Sequence, residues 1–173
     1  MCRSYKFTLL ELLTVIAVLG VLAGIMVPVM QRVRMSGRKT SCLNNLRQIG
    51  IAVTNYVSSY NDRLPVCARI PSSPDDCLSV ANMVVIDDGK VYKCPSDSNR
   101  AYEGRTFYGR YGTSYEWNTW LNGRLIDRST LNLGGLLINT PLMGDAVNFH
   151  GQLGRNYLYA DGHVRDSLDE LIK

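Results

Sequence analysis

The sequence predicts an α+β protein: a long N-terminal helix, part transmembrane stem and part packed, on a small antiparallel β-sheet domain. Three observations predict it. Phe7 to Met30 is almost wholly apolar, and an apolar run of roughly 20 residues is long enough to cross a bilayer as a helix. Beyond it, Cys42, Leu46, Ile49, Val53, Tyr56 and Tyr60 recur at steps of 3 or 4, tracing one face of a continuing helix. From Gly134 onward, short apolar runs alternate with turn residues, the pattern of short strands.

In chain order, residues 1–6 form a leader containing Arg3 and Lys6, 7–30 the membrane-crossing stem, 31–62 the continuation of the helix, and 63–173 a head domain. A helix from Thr8 to Tyr60 would be roughly 80 Å long at 1.5 Å per residue, far more than a bilayer needs. Its second part therefore has to pack on the head. Asn61-Asp62 and then Pro65 end it. Pro28 lacks the N–H that would bond residue 24 and is a candidate bend.

The 173 residues leave room for one modest core after the stem. A formal charge of +4 is too small to argue for nucleic acid. Arg32, Arg34, Arg38, Lys39 and Arg47 form a basic collar after the apolar run, read as a solvated helix face near lipid phosphates. Five bases after the span against two before it would, by the rule that bases stay cytoplasmic, turn the head inward. An ordinary secretory signal is shorter and ends in a small-residue cleavage site, and Met26-Val-Pro-Val-Met-Gln-Arg holds none.

Glu11 is the one acid within the apolar run. Inserting such a charge costs on the order of 3 kcal/mol, so it tends to exist for a partner. Were the chain cut between Lys6 and Phe7, the new amine at Phe7 would lie four residues from Glu11 on the same helical face.

The basic leader followed by Phe7-Thr8-Leu9-x-Glu11-Leu12-Leu13 resembles the class III signal of type IV pilins and type II secretion pseudopilins, and Pro28 falls where that family often bends its helix. The resemblance implies cleavage after Lys6 and N-methylation of Phe7 by a prepilin peptidase, which typically cuts after Gly where Lys6 stands here. It implies that Glu11 meets the terminal amine of a neighbouring subunit as a fibre assembles. It also implies a ladle-shaped subunit, single-pass in the bacterial inner membrane, with its head outside the cytoplasm. Its partners would be the peptidase, other pilin or pseudopilin subunits, an inner-membrane assembly platform and membrane lipid. Ser41-Cys-Leu-Asn-Asn-Leu-Arg-Gln-Ile-Gly and Cys94-Pro95-Ser96-Asp97 are similar to motifs of a large group of bacterial pseudopilin-like proteins. His150 followed by Asp161-Gly162 resembles the prepilin-processing-associated motif, with ten intervening residues, Gly151 to Ala160, in place of nine.

Within the head, Asp75 to Val85 reads as a short capped helix or the lead into a strand. Asp88-Gly89 signals a turn before a strand at Val91 to Cys94. Strands are also expected at Leu136–Asn139, Leu142–Val147, Asn156–Ala160 and His163–Arg165. Asp161-Gly162 is expected to join the last two as a type I′ turn, with both residues at positive φ. The aromatic residues between Tyr102 and Trp120 suit packing better than stacking on a glycan.

Outside the leader the cysteines are Cys42, Cys67, Cys77 and Cys94, an even number that permits disulfides with three connectivities. Cys42 and Cys94 accompany each other in the resembling group, which favours that pair and leaves Cys67 with Cys77 to close a short loop. No CxxC pair points to zinc. His150, His163, Asp161 and Asp145 are a conceivable metal set, but turn and strand roles explain them better. Calcium, which major pseudopilins hold with loop oxygens, has no identifiable ligands here, so no metal is assigned. No nucleophile elbow, phosphate loop or H-E-x-x-H motif suggests catalysis. Three roles remain open: a fibre subunit, a membrane-anchored display module for glycan or DNA, and a plain single-pass protein that does not polymerise.

Overall fold

The structure is a computed structural model that describes residues 9–98, 104–126 and 140–166. One helix, α1 (Leu9–Ser59), dominates the layout. The chain divides into two compact units, 1–36 and 37–173, and α1 contributes to both.

In the first unit, every described residue of α1 is exposed, and the helix passes through Pro28 without interruption. In the second unit, α1 buries Cys42, Leu46, Ile49, Val53 and Val57, four of them among the residues whose spacing predicted this face. Burying each aliphatic side chain is worth about 1.5–3 kcal/mol. Gly50 lies on the same face because a Cβ there would stand 2.8 Å from Leu158 Cδ1. The helix ends as expected at Asn61 and Asp62, whose φ angles are 54° and 56°, with the Asp62 amide turned back onto the Val57 carbonyl at 3.0 Å. Such a left-handed finish satisfies carbonyls the helix leaves open.

Against this helix stands a four-stranded antiparallel sheet in the order β1 (Tyr115–Trp117), β2 (Pro141–Asp145), β3 (Tyr157–Tyr159) and β4 (Val164–Arg165). Tyr115 pairs with Asp145 and Trp117 with Met143. A register shift between Pro141 and Met143 sets β2 against β3. Tyr115, Trp117, Leu142, Met143 and Leu158 join the α1 side chains in one core. The layout is the expected α+β arrangement, and β2, β3 and β4 coincide with expected strands to within two residues at their ends. The expected strand at Leu136–Asn139 lies outside the described residues, as do Lys6 and Phe7.

Two expectations need correction, and one open alternative is decided in favour of a short capped helix. Val91–Cys94 is not a strand: Gly89–Tyr92 is a 3-10 turn, because the Asp88 carboxylate accepts the Lys90 amide and caps it. Asp75–Val85 resolves into the short helix α2 (Val80–Met83), with Ser79 as its N-cap. The β3–β4 connection is not type I′, since only Gly162, at φ 86°, is left-handed. The Gly162 amide bonds the Tyr159 carbonyl and the Tyr159 amide bonds the His163 carbonyl. Ala160 and Asp161 are thus the turn's centre and Gly162 its left-handed exit, as in the longer hairpin loops that end on a bulge glycine.

Candidate functional site

Two features carry chemistry, one in each unit. The first is the stem part of α1, Leu9–Ser36. An 18-residue window of the helix has a mean hydropathy of 2.6 with none of it buried, so the helix is long and apolar enough to cross a membrane. Glu11 sits in its first turn and is exposed. The Glu11 carbonyl accepts a hydrogen bond from the Thr14 hydroxyl at 3.0 Å. In the basic collar, Arg32, Arg34, Arg38 and Arg47 are exposed. Lys39 departs from the solvated reading. It is buried, and its ammonium donates to the Leu153 carbonyl and, at 3.2 Å, to Asp166. A buried ammonium needs such acceptors, and the end of the 3-10 turn Gly151–Leu153 supplies one.

The second feature lies in the core of the head. The buried face of α1 carries Cys42, and Cys94 follows the Gly89–Tyr92 turn by two residues. The two form a disulfide, the pair the pseudopilin-like motifs implied. Closing a loop of this length, 52 residues apart in sequence, stabilises by about 4 kcal/mol in the chain-entropy account. Asp145 at the end of β2 and His150 five residues on complete the group, and all four residues are buried. His150 Nε2 lies 3.6 Å from Cys94 Sγ, 3.4 Å from Asp145 Oδ2 and 3.0 Å from Asn156 Nδ2. The Asn156 backbone N–H donates to Asp145 Oδ2 at 2.7 Å, and the Tyr115 hydroxyl donates to Cys42 Sγ at 3.5 Å. Burial, with Asp145 nearby, pushes the Tyr115 hydroxyl well above the usual phenol range, so it stays a donor. Asp145 Oδ1, His150 Nδ1 and Asn156 Oδ1 are buried without a hydrogen-bond partner. Unsatisfied polar atoms at such depth are uncommon and expensive.

Of the motif His150, Asp161 and Gly162, only His150 enters this cluster. Asp161 stays on the β3–β4 turn, where it accepts the His163 amide at 3.0 Å and pairs with the His163 ring. The conceivable set of His150, His163, Asp161 and Asp145 is therefore split in two. The Cys94-Pro95-Ser96-Asp97 motif is architectural at its far end. Buried Asp97 accepts the amides of Phe107 and Tyr108, at 3.0 and 2.6 Å, and the Ser114 hydroxyl at 2.9 Å. Its carboxylate thereby serves the opening turn of α3 (Phe107–Tyr111), whose N-cap is Thr106.

Cys67 and Cys77 do not pair, contrary to the expected second disulfide. Both are free, Cys67 buried and Cys77 exposed, since the Cys67 side chain belongs to the core that α1 closes. Burial pushes the Cys67 thiol up to about 12. Among the aromatic residues, Phe107, Tyr115 and Trp117 are buried, as packing requires, while Trp120 is 80% exposed. It borders an open groove of about 450 Å³ with Arg69, Glu116 and Arg155.

Residues 31–75 match the family described as a protein of unknown function (DUF1559), a family typical of pilin-like prokaryotic proteins. The match spans the second part of α1, including the Ser41-to-Gly50 motif, and the segment after the helix. No curated protein and no solved structure matches the chain.

Proposed function

We propose that this chain is a pilin-like structural subunit, most closely a type II secretion pseudopilin, and not an enzyme. A prepilin peptidase removes residues 1–6 and methylates the amine of Phe7. The stem anchors the subunit in the bacterial inner membrane with the head outside the cytoplasm, and an inner-membrane platform adds it to a fibre of like subunits. The observation that carries this reading is α1 itself. One uninterrupted helix gives every described side chain of Leu9–Ser36 to the surroundings and then commits its next turns to the core of a small head.

Further support comes from the similarity of residues 31–75 to a family typical of pilin-like proteins and from the position of Glu11 in the first turn. A carboxylate in apolar surroundings draws a counter-charge, and a freed amine at Phe7 on a neighbouring subunit supplies one. The Cys42–Cys94 disulfide suits a head folded in an oxidising compartment. A glycan-display role has less behind it, because Phe107, Tyr115 and Trp117 are spent on the core.

The test is the intact mass and N-terminal sequence of the chain taken from the membranes of its native host. The expected product begins at Phe7 with one added methyl. A chain that still begins at Met1, with Phe7 unmodified, contradicts the reading.

A further inference from the structure

The buried group of Cys42, Cys94, Asp145 and His150 has two features that packing alone does not require. Its four potential donor atoms, one from each residue, lie within 4.8 Å of one another, and Asp145 Oδ1 faces no hydrogen-bond donor despite complete burial. A tetrahedral Zn2+ with bonds of about 2.0–2.3 Å separates its ligand atoms by roughly 3.3–3.8 Å. The spacings from His150 Nε2 to Cys94 Sγ and Asp145 Oδ2 are 3.6 and 3.4 Å. Two sulfurs, an imidazole and a carboxylate are also a donor set that favours zinc over calcium, which takes six to eight oxygens. The surrounding donors are those that hold metal ligands in place: the Asn156 N–H on Asp145 Oδ2 and the Tyr115 hydroxyl on Cys42 Sγ.

We propose that the head is a redox-gated zinc site: with the Cys42–Cys94 disulfide opened, the two thiolates, His150 and Asp145 bind one Zn2+. In the disulfide form each sulfur shares its bonding electrons with the other, and the thiolate pair is not available. Thiol–disulfide exchange opens it. Two molecules of a thiol reductant each give up a proton and an electron, become one disulfide, and leave Cys42 and Cys94 as thiols. Zn2+ then replaces the two thiol protons, which pass to solvent. An oxidising disulfide reverses the sequence: it takes two electrons from the thiolates, is reduced to two thiolates that take up protons, and releases Zn2+. The ion replaces the disulfide as the tie between α1 and the segment after the Gly89–Tyr92 turn, so the head keeps one crosslink in either redox state. The inference depends only on the head and is independent of the fibre-subunit reading.

The test uses the full chain in detergent, reduced with excess thiol, desalted without oxygen and titrated with Co2+ as a spectroscopic stand-in for zinc. The expected result is a tetrahedral Co2+ spectrum with a thiolate charge-transfer band. It saturates at one ion per chain, is erased by Zn2+, and is absent from the oxidised chain. His150→Ala is expected to weaken binding by at least about tenfold, and the double variant Cys42→Ser with Cys94→Ser to abolish the thiolate band. The proposal is overturned if the reduced chain gives no such band at saturating Co2+ or if the oxidised chain binds equally. It is also overturned if the variant lacking both Cys42 and Cys94 keeps the band, which would assign the metal to Cys2, Cys67 or Cys77. Should His150→Ala fail to fold, the near-isosteric Asp145→Asn takes its place, and unchanged Co2+ affinity in that variant is equally contrary.

Discussion

From Leu9 to Ser36, α1 turns Leu, Ile, Val and Met side chains outward around its whole circumference. From Gly37 to Ser59 the same helix buries Cys42, Leu46, Ile49, Val53 and Val57 and keeps the remaining positions more polar. Both stretches are helical, so backbone propensity does not separate them. The arrangement of apolar residues does. A helix apolar on all sides has no single partner face and suits surroundings apolar on all sides, such as lipid or neighbouring stems. A helix apolar along one stripe suits a core on that side alone. The acids of the two units obey the same division. Glu11 is held among apolar neighbours in sequence, where a charge is costly. In the head, buried Asp97 is satisfied by two amides and a hydroxyl.

One substitution made twice gives the largest contrast. Leu46→Ala opens a cavity in the head core and is expected to lower its unfolding free energy by about 2–5 kcal/mol. Leu19→Ala, at an exposed stem position, is expected to stay within about 0.5 kcal/mol of the parent chain. Denaturant unfolding in detergent, monitored by the fluorescence of buried Trp117, reads both. Equal losses at the two positions would dissolve the distinction between the halves.

A smaller effect comes from pH. Cys67, Tyr92 and Tyr115 all have proton affinities raised by burial, with Cys67 moved from 9.0 to about 12. Between those values the unfolded chain releases the Cys67 proton and the folded head keeps it. Stability contributed by the neutral thiol is therefore complete below pH 9 and declines as pH rises towards 12, by at most about 1.4 kcal/mol per pH unit. Melting of the head recorded from pH 8 upward is expected to fall with this onset, and Cys67→Ser to move the onset towards the tyrosine range. An onset unchanged in Cys67→Ser would remove the thiol from the account.

Legibility in the sequence divides along the same line. Leu46, Ile49 and Val53 declare the packed face because a helix repeats its contacts every three or four residues. The helix end at Asn61-Asp62 is visible because short polar side chains tolerate left-handed backbone. β2 and β3 are visible as apolar runs between turn residues. Val91–Cys94 misleads because Asp88-Gly89 announces a turn but does not specify the conformation after it, and the Asp88 cap makes that a 3-10 turn. Asp161-Gly162 locates a hairpin but not its type, since Asp161 does not take positive φ. The buried cluster is the least legible feature. Asp145 and His150 are near each other in sequence, but Cys42 and Cys94 reach them only through the packing of α1 and the 3-10 turn. Joining the histidine of the H…DG motif to the cysteines of the two pseudopilin-like motifs is the one sequence signal that leads to it. Lys39 is hidden for a related reason: its acceptors, Leu153 and Asp166, are 114 and 127 positions away.

The central claim is that the exposed half of α1 is a fibre-forming stem whose register depends on Glu11. Glu11→Ala tests it most directly, by counting filaments in electron micrographs of the native host beside the amount of subunit in its inner membrane. The account predicts normal membrane insertion and loss of the subunit from filaments. Filaments that take up Glu11→Ala as readily as the parent chain would contradict it.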